Sequence, residues 1–244
     1  MIVRNMLAEF TKLRTTASFW WTTGLILAFT IAWTVLFAAL DSAEAPAYDV
    51  SFVGSGFYTF SLSVVMIQAI MMVTTEYRFK ISGTNYQVTP NRWEVAVAKL
   101  LLYVIIAVVL TFVTLVLSYT IGDLVATNPA DWTNNDIALR DLWAFPLAVA
   151  IVVVFCQGIG WIIRQTAGAV SLVLVWWLIL EGMLNLIPRV GSDIYKYAPF
   201  NNLNQFMMES PGPDWGVWTS LGIFSAFAVV FWIIGVFMLE KRDA

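Results

Sequence analysis

Histidine is absent from this chain, and cysteine occurs once, as Cys156. Without histidine, the chain lacks the commonest general base and the commonest metal ligand. A single thiol cannot build a disulfide framework, so we expect Cys156 to be a small apolar filler inside a helix. The Gly-Lys-Ser/Thr sequence of a phosphate-binding loop is also missing, which excludes ATP hydrolysis of the P-loop kind. We therefore predict no catalytic residue, no metal site and no cofactor in this chain.

Charged residues are scarce too, at 12% of the 244 residues, and they lie between six long apolar runs. Each run has roughly the 20 residues that a helix needs to cross about 30 Å of hydrocarbon. Lipid offers no hydrogen-bond partners to the backbone, so each run should be helical. The predicted transmembrane helices are 18–40, 56–75, 100–121, 142–163, 168–187 and 217–239. The sequence thus predicts an all-α membrane protein, with one six-helix domain over residues 1–244.

The basic residues predict the orientation of this domain. Ten of the thirteen fall on the side that holds both termini: Arg4, Lys12, Arg14, Arg78, Lys80, Arg92, Lys99, Arg164, Lys241 and Arg242. By the positive-inside rule, this side and both termini are cytoplasmic. The net charge of −3 reflects acids on the opposite side, and we expect the lipid bilayer as a partner and no nucleic acid.

The first residues have an amphipathic pattern. Five apolar residues within 2–13 share one helical face, which predicts a helix lying on the inner membrane surface before the first transmembrane helix. A frayed basic tail is the alternative interpretation, because the periodic stretch is short. A cleavable signal peptide is a weaker alternative, since the apolar run that follows exceeds the usual length of about 7–15 residues.

The segment 76–99 has the pattern of a projecting helix, turn and helix. Ser82 and Gly83 break the second helix, and Thr89 with Pro90 provides the cap and first turn of a new one. Its aromatic and charged content favours a docking surface over an inert solvated loop, with Tyr86, Arg92, Trp93 and Glu94 as the candidate contact residues.

Several segments resemble the permeases of type 2 ATP-binding-cassette (ABC) transporters. In chain order they are Ala8–Thr16, Glu76–Arg78, Gly83–Thr84, Thr89–Trp93, Gly158–Ala169, Tyr197–Asn201 and Lys241–Asp243. The resemblance implies that two six-helix protomers pair. We expect the second protomer to be another copy of this chain, with a different permease chain as the alternative. The resemblance also implies two separate P-loop ATPase subunits, which bind ATP and Mg and dock on the segment 76–99. The implied function is export across or out of the cytoplasmic membrane of a bacterium. Many methionine and aromatic residues favour an amphipathic or hydrophobic substrate, such as a drug, a peptide or a lipid-like molecule.

The substrate path and gate can be predicted only from polar and breaker residues. Ser61, Gln68, Met72 and Thr75 form a mildly polar stripe on the second helix, and Glu181 and Asn185 share a face of the fifth. The alternative for each is a hydrogen bond to a neighbouring helix. The breaker-rich segment 188–216 predicts short helices at the outer interface, with Tyr197, Phe200 and Phe206 as candidate gate residues.

Two other functions compete with the ABC permease. Glu181 is the one acid deep within an apolar run, and it could serve an ion-coupled secondary carrier or a channel. An intramembrane hydrolase is a poorer hypothesis, because it needs a nucleophile and a base that the sequence does not offer.

Overall fold

The computed structural model describes residues 2–44, 47–78, 92–212 and 214–241, and within these ranges the chain is helical, without strands. The helices are α1 (Ile2–Thr15), α2 (Ala17–Leu40), α3 (Ser51–Tyr77), α4 (Arg92–Val125), α5 (Asp136–Ile163), α6 (Thr166–Leu184), α7 (Gly191–Tyr195), α8 (Pro199–Met207) and α9 (Val217–Lys241). Six of them, α2 to α6 and α9, are long and apolar enough to cross a membrane. The prediction of a six-helix, all-α membrane protein is confirmed.

Several helix ends differ from the predicted ones. Helix α4 begins at Arg92 instead of residue 100, so the predicted loop 76–99 ends before its last eight residues. Helix α5 begins at Asp136 rather than 142, and α6 ends at Leu184 rather than 187. Hydropathy placed the starts of α4 and α5 too late in the chain, because their first turns contain charged residues. In the fold, Lys99 and Asp141 are nevertheless buried.

Helices α3 and α5 form the centre of the bundle. About two thirds (67%) of the apolar window of each is buried within the chain, against 22–33% for the other four spanning helices. Helix α9 crosses α5 closely, because glycines face each other there. A Cβ added to Gly158 would lie 2.6 Å from the backbone nitrogen of Trp232, and one on Gly235 would lie 2.7 Å from the Gly158 carbonyl oxygen. Small residues at such crossings allow membrane helices to pack through their backbones.

Two spanning helices contain a π turn, Phe57–Ser61 in α3 and Trp176–Leu180 in α6. The two turns touch each other, because the Trp177 indole donates a 3.0 Å hydrogen bond to the Tyr58 hydroxyl and the two rings pack edge to face. A π turn adds a residue to the helical ladder, and such turns occur frequently at functional sites. The interface of α3 and α6 therefore contains two π turns in direct contact.

Contacts show which segments share an end of the bundle. At one end, the Arg92 and Arg164 guanidiniums donate to carbonyls of the last turn of α9, at 3.0 Å (Leu239) and 2.9 Å (Met238). Cations at a helix C-terminus are favoured by the helix dipole. The N-terminal helix α1 lies at this same end, where it contacts α3 and α4 through Lys12 and Glu9. The basic segments predicted to be cytoplasmic are thus together in the fold.

Candidate functional site

A cluster of four charged side chains joins α1 to α3 and α4. The Lys99 ammonium lies 2.5 Å from Glu9 Oε2 and 2.9 Å from Glu76 Oε1, and its third acceptor is the Met72 carbonyl oxygen at 3.4 Å. The Lys12 ammonium contacts the same two acids, at 2.7 Å to Glu9 and 3.0 Å to Glu76. Two lysines and two glutamates therefore form one connected set, which we call the inner charge cluster.

Burial makes the inner charge cluster energetically important. Lys99 is 1% exposed, and Glu9 and Glu76 are 6% and 8% exposed, so these charges have almost no contact with water. A buried charge is tolerated when it is paired and hydrogen-bonded, and the two positive and two negative charges cancel here. Burial lowers the pKa of Lys12, but its hydrogen bond to Glu9 and the charges of Glu9 and Glu76 raise it more, so the pKa stays above the ordinary 10.5.

The cluster explains how α1 uses its two faces. Val3, Leu7 and Phe10 remain exposed, as suits a helix whose apolar side meets lipid, while Glu9 points into the protein. In the sequence, Glu9 and Lys12 lie outside the apolar face of α1. Glu9 is nevertheless buried, and one of the two cations that neutralise it, Lys99, lies 90 residues away in the chain.

A cavity of about 370 Å³ lies beside the inner charge cluster, between α1, the start of α2 and the inner half of α3. Its lining combines apolar side chains with hydroxyls and the four charged residues. The lining residues are Glu9, Lys12, Leu13, Thr15, Thr16, Ser18, Phe19, Thr22, Gln68, Met71, Met72, Thr75, Glu76 and Lys99. We call this the inner cavity.

The predicted path residues of α3 separate into two groups. Gln68, Met72 and Thr75 line the inner cavity. Ser61 instead lies fully buried against α2, where its hydroxyl donates to the Ile26 carbonyl at 2.7 Å and contacts the Thr30 hydroxyl at 2.7 Å. Gln68 is also held in place, since its amide carbonyl accepts a 2.8 Å hydrogen bond from Tyr103.

A second cavity, of about 380 Å³, lies at the other end of the bundle and includes both π turns. We call it the outer cavity, and Glu181 is at its wall. The Glu181 carboxylate accepts hydrogen bonds from the backbone N–H groups of Phe200 (2.9 Å) and Asn201 (2.7 Å), at the first turn of α8. Asn185, predicted to share a face with Glu181 along the substrate path, is exposed and does not line this cavity. The carboxylate therefore caps a helix N-terminus, where negative charge is favoured.

The opposite end of α8 is held by a positive charge. Arg140, at the start of α5, donates to the Phe206 carbonyl at 2.5 Å and to the Met207 carbonyl at 3.2 Å. These are among the carbonyls that a helix leaves unpaired at its C-terminus. Helix α8 is thus capped at both ends by side chains of opposite charge, from two different spanning helices.

The three candidate gate residues have unlike environments. Phe200 and Phe206 are buried anchors of α8, with ring centroids 5.4 Å from Phe155 and 5.5 Å from Trp218. Tyr197 is 53% exposed and packs on Trp215 at 5.2 Å. The predicted short helices of the segment 188–216 are present as α7 and α8.

The candidate coupling residues lie at the inner end of α4 or just before it. Tyr86 falls outside the described residues. Trp93 is 45% exposed, Glu94 is buried, and Arg92 binds the end of α9. Trp93 therefore offers an exposed aromatic surface on the first turn of a helix that carries Lys99 two turns further on.

Sequence reasoning missed the inner charge cluster, although one signal was available. Lys99 stands at the start of an apolar run, and Glu9 and Lys12 lie three residues apart in a short amphipathic segment. Pairing such isolated charges is a reasonable expectation in an apolar chain, but the sequence does not say which pairs form. No model of a protein family matches this chain, and no curated protein matches it.

Proposed function

We propose that this chain is the permease subunit of an ABC-type exporter. It moves an amphipathic or hydrophobic substrate across or out of the membrane, and a separate ATPase supplies the energy. The order of the resembling segments along the chain motivates this proposal. The inner charge cluster is the structural observation that carries it.

The argument depends on where the cluster lies. Helices α3 and α4 are joined by the segment 79–91, which contains most of the proposed coupling loop. Glu76 lies three residues before this segment, and Lys99 lies eight residues after it. Both are bound to α1 through Glu9 and Lys12. A force applied to the coupling segment by a docked partner would therefore reach α1, α3 and α4 as one unit.

Glu181 supports the exporter over the ion-coupled carrier. Both oxygens of its carboxylate accept a backbone N–H, so the group has a structural task at the start of α8. An ion-binding carboxylate shares its ion with other oxygen ligands that converge on one point. In the described part of the chain, no group of three His, Cys, Asp or Glu side chains is placed to hold a metal ion.

The test is association with an ATPase and dependence of transport on ATP. The chain, purified in mild detergent from its own host, should carry a P-loop ATPase in a ratio of two ATPase subunits to two permease copies. Reconstituted vesicles should then move substrate when ATP and Mg are supplied on the ATPase side, and a protonophore should leave the rate unchanged. Transport that follows a proton gradient without any ATPase would favour the carrier instead.

A further inference from the structure

The outer cavity has a wall of aromatic side chains. The helices α3, α6, α7 and α8 each contribute one of them, and these are Tyr58, Trp177, Tyr195 and Phe200. The Tyr58 and Trp177 rings stand almost perpendicular, at 83° with 5.5 Å between their centroids. The Phe200 ring is tilted by 43° from that of Trp177, at 6.4 Å. Rings set at such angles form a corner rather than a stack, and Trp177 and Phe200 are buried within it.

The negative charge in this cavity has no positive counterpart. Glu181 is the one charged side chain among the described residues that line it. Two hydrogen bonds from backbone N–H groups orient the carboxylate without cancelling its charge, and the dipole of α8 offsets at most about half of an elementary charge. Lys196, which follows α7, is paired with Asp193 at 3.6 Å and with Asp214 at 3.2 Å. The cavity therefore retains a net negative charge.

This charge reaches the aromatic wall. Burial, and after it the negative charge of Glu181, raises the pKa of Tyr195 above its ordinary 10.0. A neighbouring cation would have the opposite effect on a tyrosine. The outer cavity thus favours a positively charged ligand. The inner charge cluster does not, because two lysines balance its two glutamates.

The groups at the cavity select the kind of cation. A metal ion needs several oxygen ligands that converge on one point, and in the described part of the chain no three His, Cys, Asp or Glu side chains are placed to hold one. A quaternary ammonium has no N–H groups to satisfy, and the electron-rich faces of aromatic rings attract it. Aromatic rings beside a carboxylate therefore suit an organic cation better than a metal ion.

Size and access fit such a ligand. A volume of about 380 Å³ lies in the range of small-molecule sites. Thr59, Leu178 and Gly182 line the cavity and are exposed, so they form its mouth, whereas Trp177 and Glu181 are buried at its wall. A cation can therefore enter between α3 and α6 and meet the rings and the carboxylate.

We propose that the outer cavity binds a quaternary ammonium group of the choline type. The cation lies against the rings of Tyr58, Trp177 and Tyr195, close to the Glu181 carboxylate. It belongs either to the headgroup of a choline phospholipid or to a free organic cation. The site is built from this chain alone, so it goes beyond the proposed exporter function and its test requires no ATPase.

Equilibrium dialysis of radiolabelled choline with the purified full chain tests the site. The chain is kept in dodecyl maltoside, a detergent without charge and without choline. Of two competitors, 3,3-dimethylbutan-1-ol has the shape of choline without its charge, and ethanolamine has the charge without the methyl groups. We expect saturable binding that unlabelled choline displaces at least about tenfold better than either competitor does. Equal displacement by choline and either competitor, or no saturable binding, would overturn the proposal.

Ring variants locate the site. Tyr195→Leu removes one ring and should raise the dissociation constant for choline about threefold or more, whereas Tyr195→Phe keeps the ring and should bind like the parent chain. Trp21→Leu is the matched control, because it removes an exposed ring at the other end of the bundle, and it should also bind like the parent chain. Unaltered binding in Tyr195→Leu would refute the location.

Glu181→Gln tests the contribution of charge. The same carboxylate caps α8, so the variant also loosens the cavity wall. Loosening alone would weaken the binding of choline and of 3,3-dimethylbutan-1-ol alike, whereas loss of the charge weakens only that of choline. We therefore expect the tenfold preference for choline over its neutral analogue to fall to about threefold or less. A preference that stays at its parent value would contradict a role of Glu181 in binding the cation.

Micelles of two compositions distinguish the two sources of the cation. Adding phosphatidylcholine should weaken the apparent affinity for choline in proportion to its content if the lipid headgroup occupies the site. An affinity independent of that lipid would assign the site to free organic cations.

Discussion

Replacing Lys99 by methionine should destabilise the protein more than any other single lysine change. Methionine fills a similar volume without charge, so the change leaves the Glu9 and Glu76 carboxylates buried with Lys12 as their remaining cation. Breaking a buried ion pair by removing one partner typically costs about 3–5 kcal/mol, because it leaves an uncompensated charge buried. We expect a loss of this size for Lys99→Met.

Two matched variants separate charge from volume. Lys241→Met, at the exposed end of α9, should change the free energy of unfolding by less than about 0.5 kcal/mol. The triple variant Glu9→Gln, Glu76→Gln and Lys99→Met removes all three buried charges together. Replacing a whole buried network is often close to neutral. It should therefore be more stable than Lys99→Met alone, although it carries two further substitutions.

The assay is unfolding in mixed micelles titrated with dodecyl sulfate, followed by tryptophan fluorescence. Tryptic cleavage within α1 serves as a second, local readout, since loss of the cluster should release that helix before the bundle unfolds. If Lys99→Met cost no more than Lys241→Met, the buried pairs would contribute nothing. If the triple variant were less stable than Lys99→Met, the cost would arise from packing and the electrostatic argument would fail.

Three further predictions concern the two ends of the bundle. Glu181→Gln should weaken the cap of α8, which would appear as faster hydrogen exchange at the first turn of that helix, while ATP-driven transport should stay independent of a proton gradient. If Glu181→Gln changed only the ion dependence of transport, the capping role would be contradicted. Hydrogen bonds from backbone N–H groups, those of Ala47 and Asn128 foremost, lower the pKa of Asp41 below its ordinary 3.8. The ionised Asp41 therefore stabilises the fold fully above pH 3.8, and this stabilisation is lost as the pH falls through the lower pKa of the folded state. Hydrogen-exchange protection at Asn128 should decline over that acid range, and Asp41→Asn should abolish the decline. The double variant Tyr86→Ala and Trp93→Ala should insert into the membrane normally, but each lost side chain should reduce the binding free energy for the ATPase by about 1–2 kcal/mol or more. Copurification measures this loss, and full retention of the ATPase would show that the segment 76–99 is not the coupling element.

The spanning helices could be predicted because hydropathy and helix length are local properties of the sequence. Their ends could not be predicted as well. Lys99 and Asp141 look like residues of polar loops, yet in the fold they are buried against partners, Glu76 for the first and Tyr119 for the second. The window of residues that defines a run contains no information about such partners.

The candidate sites illustrate the same limit. Gln68, Met72 and Thr75 could be grouped from helical spacing alone, and they do line one cavity. Ser61 has the same spacing, but it is buried against α2, where its hydroxyl donates a hydrogen bond to the Ile26 carbonyl. The position of Glu181 within an apolar run indicates a special role for this acid. Its hydrogen-bond partners, the backbone N–H groups of Phe200 and Asn201, lie 19 and 20 residues further along the chain, in a segment whose apolar residues show no regular spacing. Spacing assigns residues to a face, and only the packing of that face decides what they do.

Helix α8 also fixes a distance. Its nine residues span roughly 13 Å at about 1.5 Å per residue, and its two ends are bound to α5 and to α6. It is therefore a spacer that sets how far apart the outer ends of those two helices stand. Widening the outer cavity by moving α6 away from α5 would require the Glu181 cap to open or α8 to travel with α6. Removing one turn of α8 should draw the two helices together by about 5 Å, a change that spin labels at their outer ends would measure.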